Sequence, residues 1–258
     1  MLTAVLPAVV PLFGADHPPA EVKTEVTVFA ASSLQDALKD LQRRYEKSHP
    51  GVKLILSFGA SGQLQQQIAA GAPADLFISA APEYMDKLAA AGLLQAGSRR
   101  DLLGNELVLI SPAYTARLNS LAGLREKFVE HIALGEPGSV PAGQYAVASL
   151  KALGFHDELK TKFIFALNVR QVLDFVARGE VDAGFVYRSD ALQSSQVRIA
   201  AIVPAESHPP IVYPAALIAH REQAAAAGEF LKYLTGAEAQ TVFHAAGFKP
   251  PPGAAAKP

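Results

Sequence analysis

Cysteine is absent from all 258 residues. That excludes disulfides, thiolate metal sites, a cysteine nucleophile and attachment to a membrane through a lipidated thiol. Charge is scarce as well: Asp, Glu, Lys and Arg make up 18% of the chain, and the formal net charge is −1. No basic stripe stands out, so a nucleic-acid partner is not supported. Histidine occurs seven times but never as an H-x-x-x-H pair, so a local metal motif is missing. No G-x-x-x-x-G-K-[ST] run exists to cradle a nucleotide. The apolar stretch from Leu2 to Phe13 is too short to span a bilayer as a helix.

Half of the residues are hydrophobic, enough for a sizeable core in one large or two modest domains. Residues 1–24 read as an incomplete export signal: the apolar stretch suits a secretory core, but no Lys or Arg precedes it and Pro7 and Pro11 interrupt it. A plain tail is the alternative. The final PPPGAAAKP, residues 250–258, reads as a flexible tail.

From Val26 the hydrophobic pattern alternates between two periods. VTVFAA (26–31) predicts a buried strand, and SLQDALKDLQRRY places Leu34, Leu38, Leu41 and Tyr45 on one helical face. Val52 to Ser57, ADLFIS (74–79) and GNELVLISP (104–112) predict strands, with helices around Leu64 and Ile68 and over 82–91. A second region repeats the pattern. It has strands at 132–134, 182–187 and 197–203, a loop EPGSVPAG (136–143), and helices over 144–153 and 168–179 closed by glycines. VYPAALIA (212–219) returns the chain to the first region, where helices at about 222–234 and 237–246 complete it. The fold class is therefore α/β, with two lobes of mainly parallel sheet flanked by helices. Lobe I comprises 25–107 and 212–249, and lobe II 108–211.

Ligands in such sheets collect at strand-to-helix junctions, where helix N-termini present unpaired N–H groups. Two junctions carry serine: Ser32-Ser33 after VTVFAA, and Ser61 in SFGASGQLQQQI. Alone, Ser33 reads as a helix N-cap, since Asp36 lies at the capping-box offset. Ser61 has Leu64 there instead, and its small neighbours let the backbone approach a ligand closely. A hydrolase elbow would need G-x-S-x-G; the run Gly59-Ala60-Ser61-Gly62-Gln63 lacks the last glycine, though His208 or His220 could still lie near. Asp182 and Asp190 read as turn and capping residues, and Arg43-Arg44 and Arg99-Arg100 as solvated faces.

Five segments together, VTVFAASSLQDAL, SFGASGQLQQQIAAGAPADLFISA, LLGNELVLISP, GEPGSVPAGQYA and GFVYRSDA, resemble the periplasmic molybdate-binding protein (ModA) family, across about residues 25–249. The resemblance implies a two-lobed type II periplasmic binding protein fold with molybdate or tungstate in the interlobe cleft. It implies no catalysis and no resident cofactor, a monomer in the periplasm, and a membrane permease of an ABC importer as partner. By motif it implies that Ser33 and Ser61 donate from lobe I. From lobe II, Ala142 and Val169 would supply backbone N–H groups and Tyr187 a phenol, with molybdenum held only through its oxyanion and no direct cation site. Read without the resemblance, Ala142 and Val169 are simple helix starts and Tyr187 a core aromatic. A sulfate or other oxyanion binder of the same fold is the alternative function. A serine hydrolase is a more distant one, as is the effector domain of a transcription regulator, for which no DNA-binding segment precedes Val26.

Overall fold

The computed structural model describes residues 24–253. The export-signal reading of the N-terminal stretch lies outside the described residues, as does the last part of the C-terminal tail.

The first run of elements is β1 (Thr24–Ala31), a 3-10 turn (Ser32–Leu34), α1 (Gln35–Ser48), β2 (Val52–Gly59), α2 (Ser61–Ala69), β3 (Leu76–Ile78), α3 (Pro82–Ala90) and β4 (Arg100–Gly104). The second is β5 (Leu107–Pro112), β6 (Ile132–Gly135), α4 (Pro141–Ala152), α5 (His156–Leu159), β7 (Phe163–Ala166), α6 (Val169–Ala177), β8 (Ala183–Tyr187), α7 (Arg188–Ala191) and β9 (Val197–Ile202). β10 (Val212–Leu217), α8 (Ala224–Thr235) and α9 (Ala237–Ala245) follow.

Two sheets result, β2-β1-β3-β10-β4 and β7-β6-β8-β5-β9. Each has three parallel strands, then one reversed strand, then a last strand antiparallel to the reversed one. The reversed strands are β10 and β5, the two that enter a sheet directly from the other lobe. The sheets are thus mixed, and the single reversal in each comes from a crossing of the chain.

Periodicity explains the packing. Val26, Val28 and Ala30 of β1 are fully buried, as are Leu38 and Leu41 of α1, with Tyr45 almost so. Removing each large apolar side chain from water stabilises the fold by about 1.5–3 kcal/mol. The C-terminal helices close this lobe: the Tyr45 ring lies 4.9 Å from Phe230 and 5.1 Å from Tyr233.

Three elements differ from the expectation. β4 starts with exposed Arg100 and Asp101 at the sheet's edge, so it lacks an apolar run. Its end, Gly104, separates it from β5, which begins only at Leu107. β7 is also an edge strand, pairing with β6 alone and leaving Phe165 49% exposed. Finally, α4 begins at Pro141, so VPAG is a helix start rather than loop, because proline's fixed φ suits the first helical turn.

Candidate functional site

The parallel strands of both sheets end toward a common cleft. α2, α4 and α6 begin there, as does the 3-10 turn after β1. α2 and α4 have no side-chain cap, so no capping side chain occupies their first-turn N–H groups, although Gly62 N–H is taken by Ser139 O and Gly143 N–H by Val140 O. In α6 the Asn168 side chain accepts from Gln171 N–H at 3.1 Å.

One cavity joins these termini. It is lined by Ala31, Ser32, Ser33, Gly59, Ala60, Ser61, Ala80, Val140, Pro141, Ala142, Val169 and Tyr187. All five residues singled out above (Ser33, Ser61, Ala142, Val169 and Tyr187) are therefore brought together. The centre of a water-sized sphere can roam over about 10 Å³ inside, which suits one compact guest. Among the described residues, no Lys, Arg, His, Asp or Glu lines it.

Three polar wall groups, Ser61, Ser33 and Tyr187, have distinct surroundings. The Ser61 hydroxyl oxygen accepts from Ala80 N–H at 2.9 Å, leaving its hydrogen for another partner. Ser33 is not an N-cap: the cap position is Ala31, with no side-chain bond. The Ser33 hydroxyl instead lies 3.0 Å from the Tyr213 hydroxyl. Tyr187 is 1% exposed, and its phenol oxygen has no hydrogen-bond partner among the described residues. Burial pushes the Tyr187 and Tyr213 phenols well above their ordinary range, so both keep their protons. Among the described residues, no histidine lies beside Ser61 in the cavity wall. His208 faces the Pro209 carbonyl and the Tyr145 ring instead.

The cleft is held shut on two sides. On one, Gly62 N–H donates to Ser139 O at 2.9 Å, and Gln144 Nε2 donates to the Tyr84 hydroxyl at 2.7 Å. On the other, Arg170 reaches from α6 to Asp36 Oδ2 at 2.6 Å and donates to the Ser33 carbonyl at 3.2 Å. The Arg170 Nε also lies 2.7 Å from Asp190 Oδ1. The contact is close but misaligned for a hydrogen bond, so it is an ion pair by charge alone. Asp190 is fully buried, which pushes its carboxyl up to about 6 against the pull of Arg170. Its turn-and-cap reading is thereby corrected to a buried charge partner. Asp182 does serve its turn, accepting from the N–H groups of Glu130 and His131 at 2.8 and 2.9 Å.

A family model described as bacterial extracellular solute-binding protein matches residues 26–249. The chain belongs to this family. Among relatives, it is 43% identical over 230 residues to a Bacillus subtilis protein named as an ABC transporter substrate-binding lipoprotein, YvgL, covering 89% of this chain and 88% of that one. It is 38% identical over 229 residues to the molybdate-binding protein ModA of Haemophilus influenzae, covering 87% and 89%. The solved periplasmic molybdate-binding protein of Azotobacter vinelandii matches its fold with a TM-score of 0.79 at 29% identity, over 88% of this chain and 99% of that one.

As an extracellular solute-binding protein it depends on residues that its motifs did not reveal. Tyr213, Asn105 and Arg170 stand behind or across the cleft from the cavity wall. Arg170 directly follows Val169, so its neighbour gave the only local hint. Tyr213 meets Ser33 from 180 positions away in sequence, and Asn105 meets Tyr213 from 108, and no local pattern encodes that.

Proposed function

We propose that this solute-binding protein captures molybdate, and tungstate through the same contacts, in the periplasm. It then presents the anion to the membrane permease of an ABC importer, acting as a monomer that catalyses nothing and carries no resident cofactor. The observation that carries this reading is the convergence of Ser33, Ser61, Ala142, Val169 and Tyr187 on one small cavity walled, among the described residues, by no charged side chain.

The chemistry supports an unprotonated tetrahedral dianion. Burying such an ion is costly unless hydrogen bonds replace its hydration. Bonds to a charged acceptor contribute roughly 1.5–3 kcal/mol each, and helix N-termini add to them. Molybdate and tungstate carry no proton near neutral pH and need only donors. Hydrogen phosphate brings a proton that requires an acceptor. Sulfate has the same charge with shorter bonds, so fit to the cavity must separate it from molybdate.

Thermal unfolding with molybdate, tungstate, sulfate or phosphate tests the reading. A ligand at 100 times its Kd adds about 2.7 kcal/mol, a rise in Tm of roughly 5–11 °C for a chain of this size. Molybdate and tungstate should give that rise. A shift with sulfate and none with molybdate would defeat the substrate assignment. The double variant Ser33→Ala, Ser61→Ala should fold and show no shift.

A further inference from the structure

The two cavity serines are both braced from behind, but by different means. Behind Ser61 stands a main-chain donor, Ala80 N–H, 2.9 Å from its hydroxyl oxygen. A backbone amide cannot reverse its role, so the Ser61 hydrogen is always free to turn to a guest. Behind Ser33 stands a chain of side chains from three separate parts of the molecule.

That chain has a direction. Glu106 N–H donates to Asn105 Oδ1 at 2.9 Å, which fixes the Asn105 amide so that its nitrogen faces inward. Asn105 Nδ2 then donates one hydrogen to Ser189 Oγ at 2.9 Å and the other to the Tyr213 hydroxyl oxygen at 3.3 Å. Tyr213 is fully buried and Ser33 is 2% exposed, with 3.0 Å between their hydroxyl oxygens. If Ser33 donated to Tyr213, the phenol hydrogen would be stranded in the core at a cost. The arrangement that satisfies every group has Tyr213 donating to Ser33, so the Ser33 hydrogen faces the cavity.

We propose that Asn105 and Tyr213 are specificity-determining positioning residues. Their one-way hydrogen-bond chain fixes Ser33 as a donor and so biases the cavity against oxyanions that retain a proton. The inference deepens the reading of the cavity as an oxyanion site and rests on it, but it does not depend on which unprotonated anion is bound. Neither residue lines the cavity. They act through Ser33.

Isothermal titration at pH 7.5 with molybdate, tungstate, sulfate and inorganic phosphate tests this on the wild type, Tyr213→Phe, Ser33→Ala and the double variant. Phenylalanine keeps the ring that packs edge-on against Phe248 and Tyr187, so the ligand-free Tm should hold. Asn105→Ala repeats the test should Tyr213→Phe fold poorly. Ser33→Ala, which loses one charge-assisted donor, should weaken the best unprotonated anion by roughly ten- to a hundredfold; Tyr213→Phe, where Ser33 keeps its hydroxyl, should weaken it less. The preference for that anion over hydrogen phosphate should narrow by about tenfold, because Ser33 can then turn and accept. In the Ser33→Ala background, Tyr213→Phe should change nothing further. A Tyr213→Phe variant that weakens every anion by one common factor, with Ser33 present or absent, would overturn the proposal. So would a wild type that takes hydrogen phosphate as readily as the unprotonated anions. If the wild type takes sulfate rather than molybdate, only the ligand assignment fails. The chain is then judged on the sulfate-to-phosphate ratio by the same criteria.

Discussion

At position 62 a side chain has nowhere to go. A Cβ there would sit 2.8 Å from both Cα and O of Ser139 in the opposite lobe, and 2.9 Å from the Tyr84 ring. The glycine of the SFGASG turn therefore serves lobe contact as much as ligand approach. Gly62→Ala should leave each lobe folded but hold the cleft ajar, weakening anion affinity about tenfold, the effect of roughly 1–2 kcal/mol of strain; titration beside ligand-free melting checks both halves. Asp190 makes a second prediction. Its folded pKa of about 6 lies above its ordinary value, so its contribution to stability is fully present below about pH 4 and is lost as pH rises through 6. The stability of the wild type relative to Asp190→Asn should fall by roughly 2–4 kcal/mol between pH 4 and pH 7, as read by denaturant unfolding. Ser33 and Ser61 were legible as residues because strand-to-helix junctions show in the hydrophobic pattern. What lies behind them was not, since Tyr213 reaches Ser33, and Asn105 reaches Tyr213, only through tertiary folding.

Among the elements, α6 combines two tasks. Its first residue, Val169, lines the cavity, and its second, Arg170, grips Asp36 and the Ser33 carbonyl across the cleft. Cavity wall and clasp therefore move together. Arg170→Ala should raise the Kd by roughly tenfold or more and should also leave Asp190 buried without its partner, lowering the Tm; Asp36→Ala removes the cross-cleft pair alone and separates the two effects. Strong periodicity made α1, β1, β5, α6 and the two C-terminal helices readable. β4 and β7 were not, because an edge strand pairs on one side only and tolerates charge or exposure along it. The start of α4 was misplaced for a related reason: VPAG is rich in loop-forming residues, yet proline at the first helical turn marks a beginning.

The whole molecule is two sheets of the same design, each interrupted by the strand that arrives from its neighbour. The alternation of strands and helices disclosed two α/β lobes, whereas the reversal of β5 and β10 depends on where the chain crosses and left no periodic trace. Few segments join the lobes, and cross-cleft contacts are polar and small, so closure should depend on the guest. Small-angle scattering should show a smaller radius of gyration after molybdate is added. Gly62→Ala should stay expanded under the same conditions.

The bracing behind Ser33 begins at Asn105, between β4 and β5 where the chain passes from one lobe to the other. Groups beside a pivot travel least if the halves swing apart there, so the serine face should stay preset while the faces of α4 and α6 sweep in and out. Arrival and residence should then belong to different lobes. Stopped-flow measurements should find that Ser33→Ala slows uptake, whereas Arg170→Ala leaves uptake nearly unchanged and hastens escape. With no tryptophan in the chain, tyrosine emission, from Tyr187 and Tyr213 among others, can be followed directly.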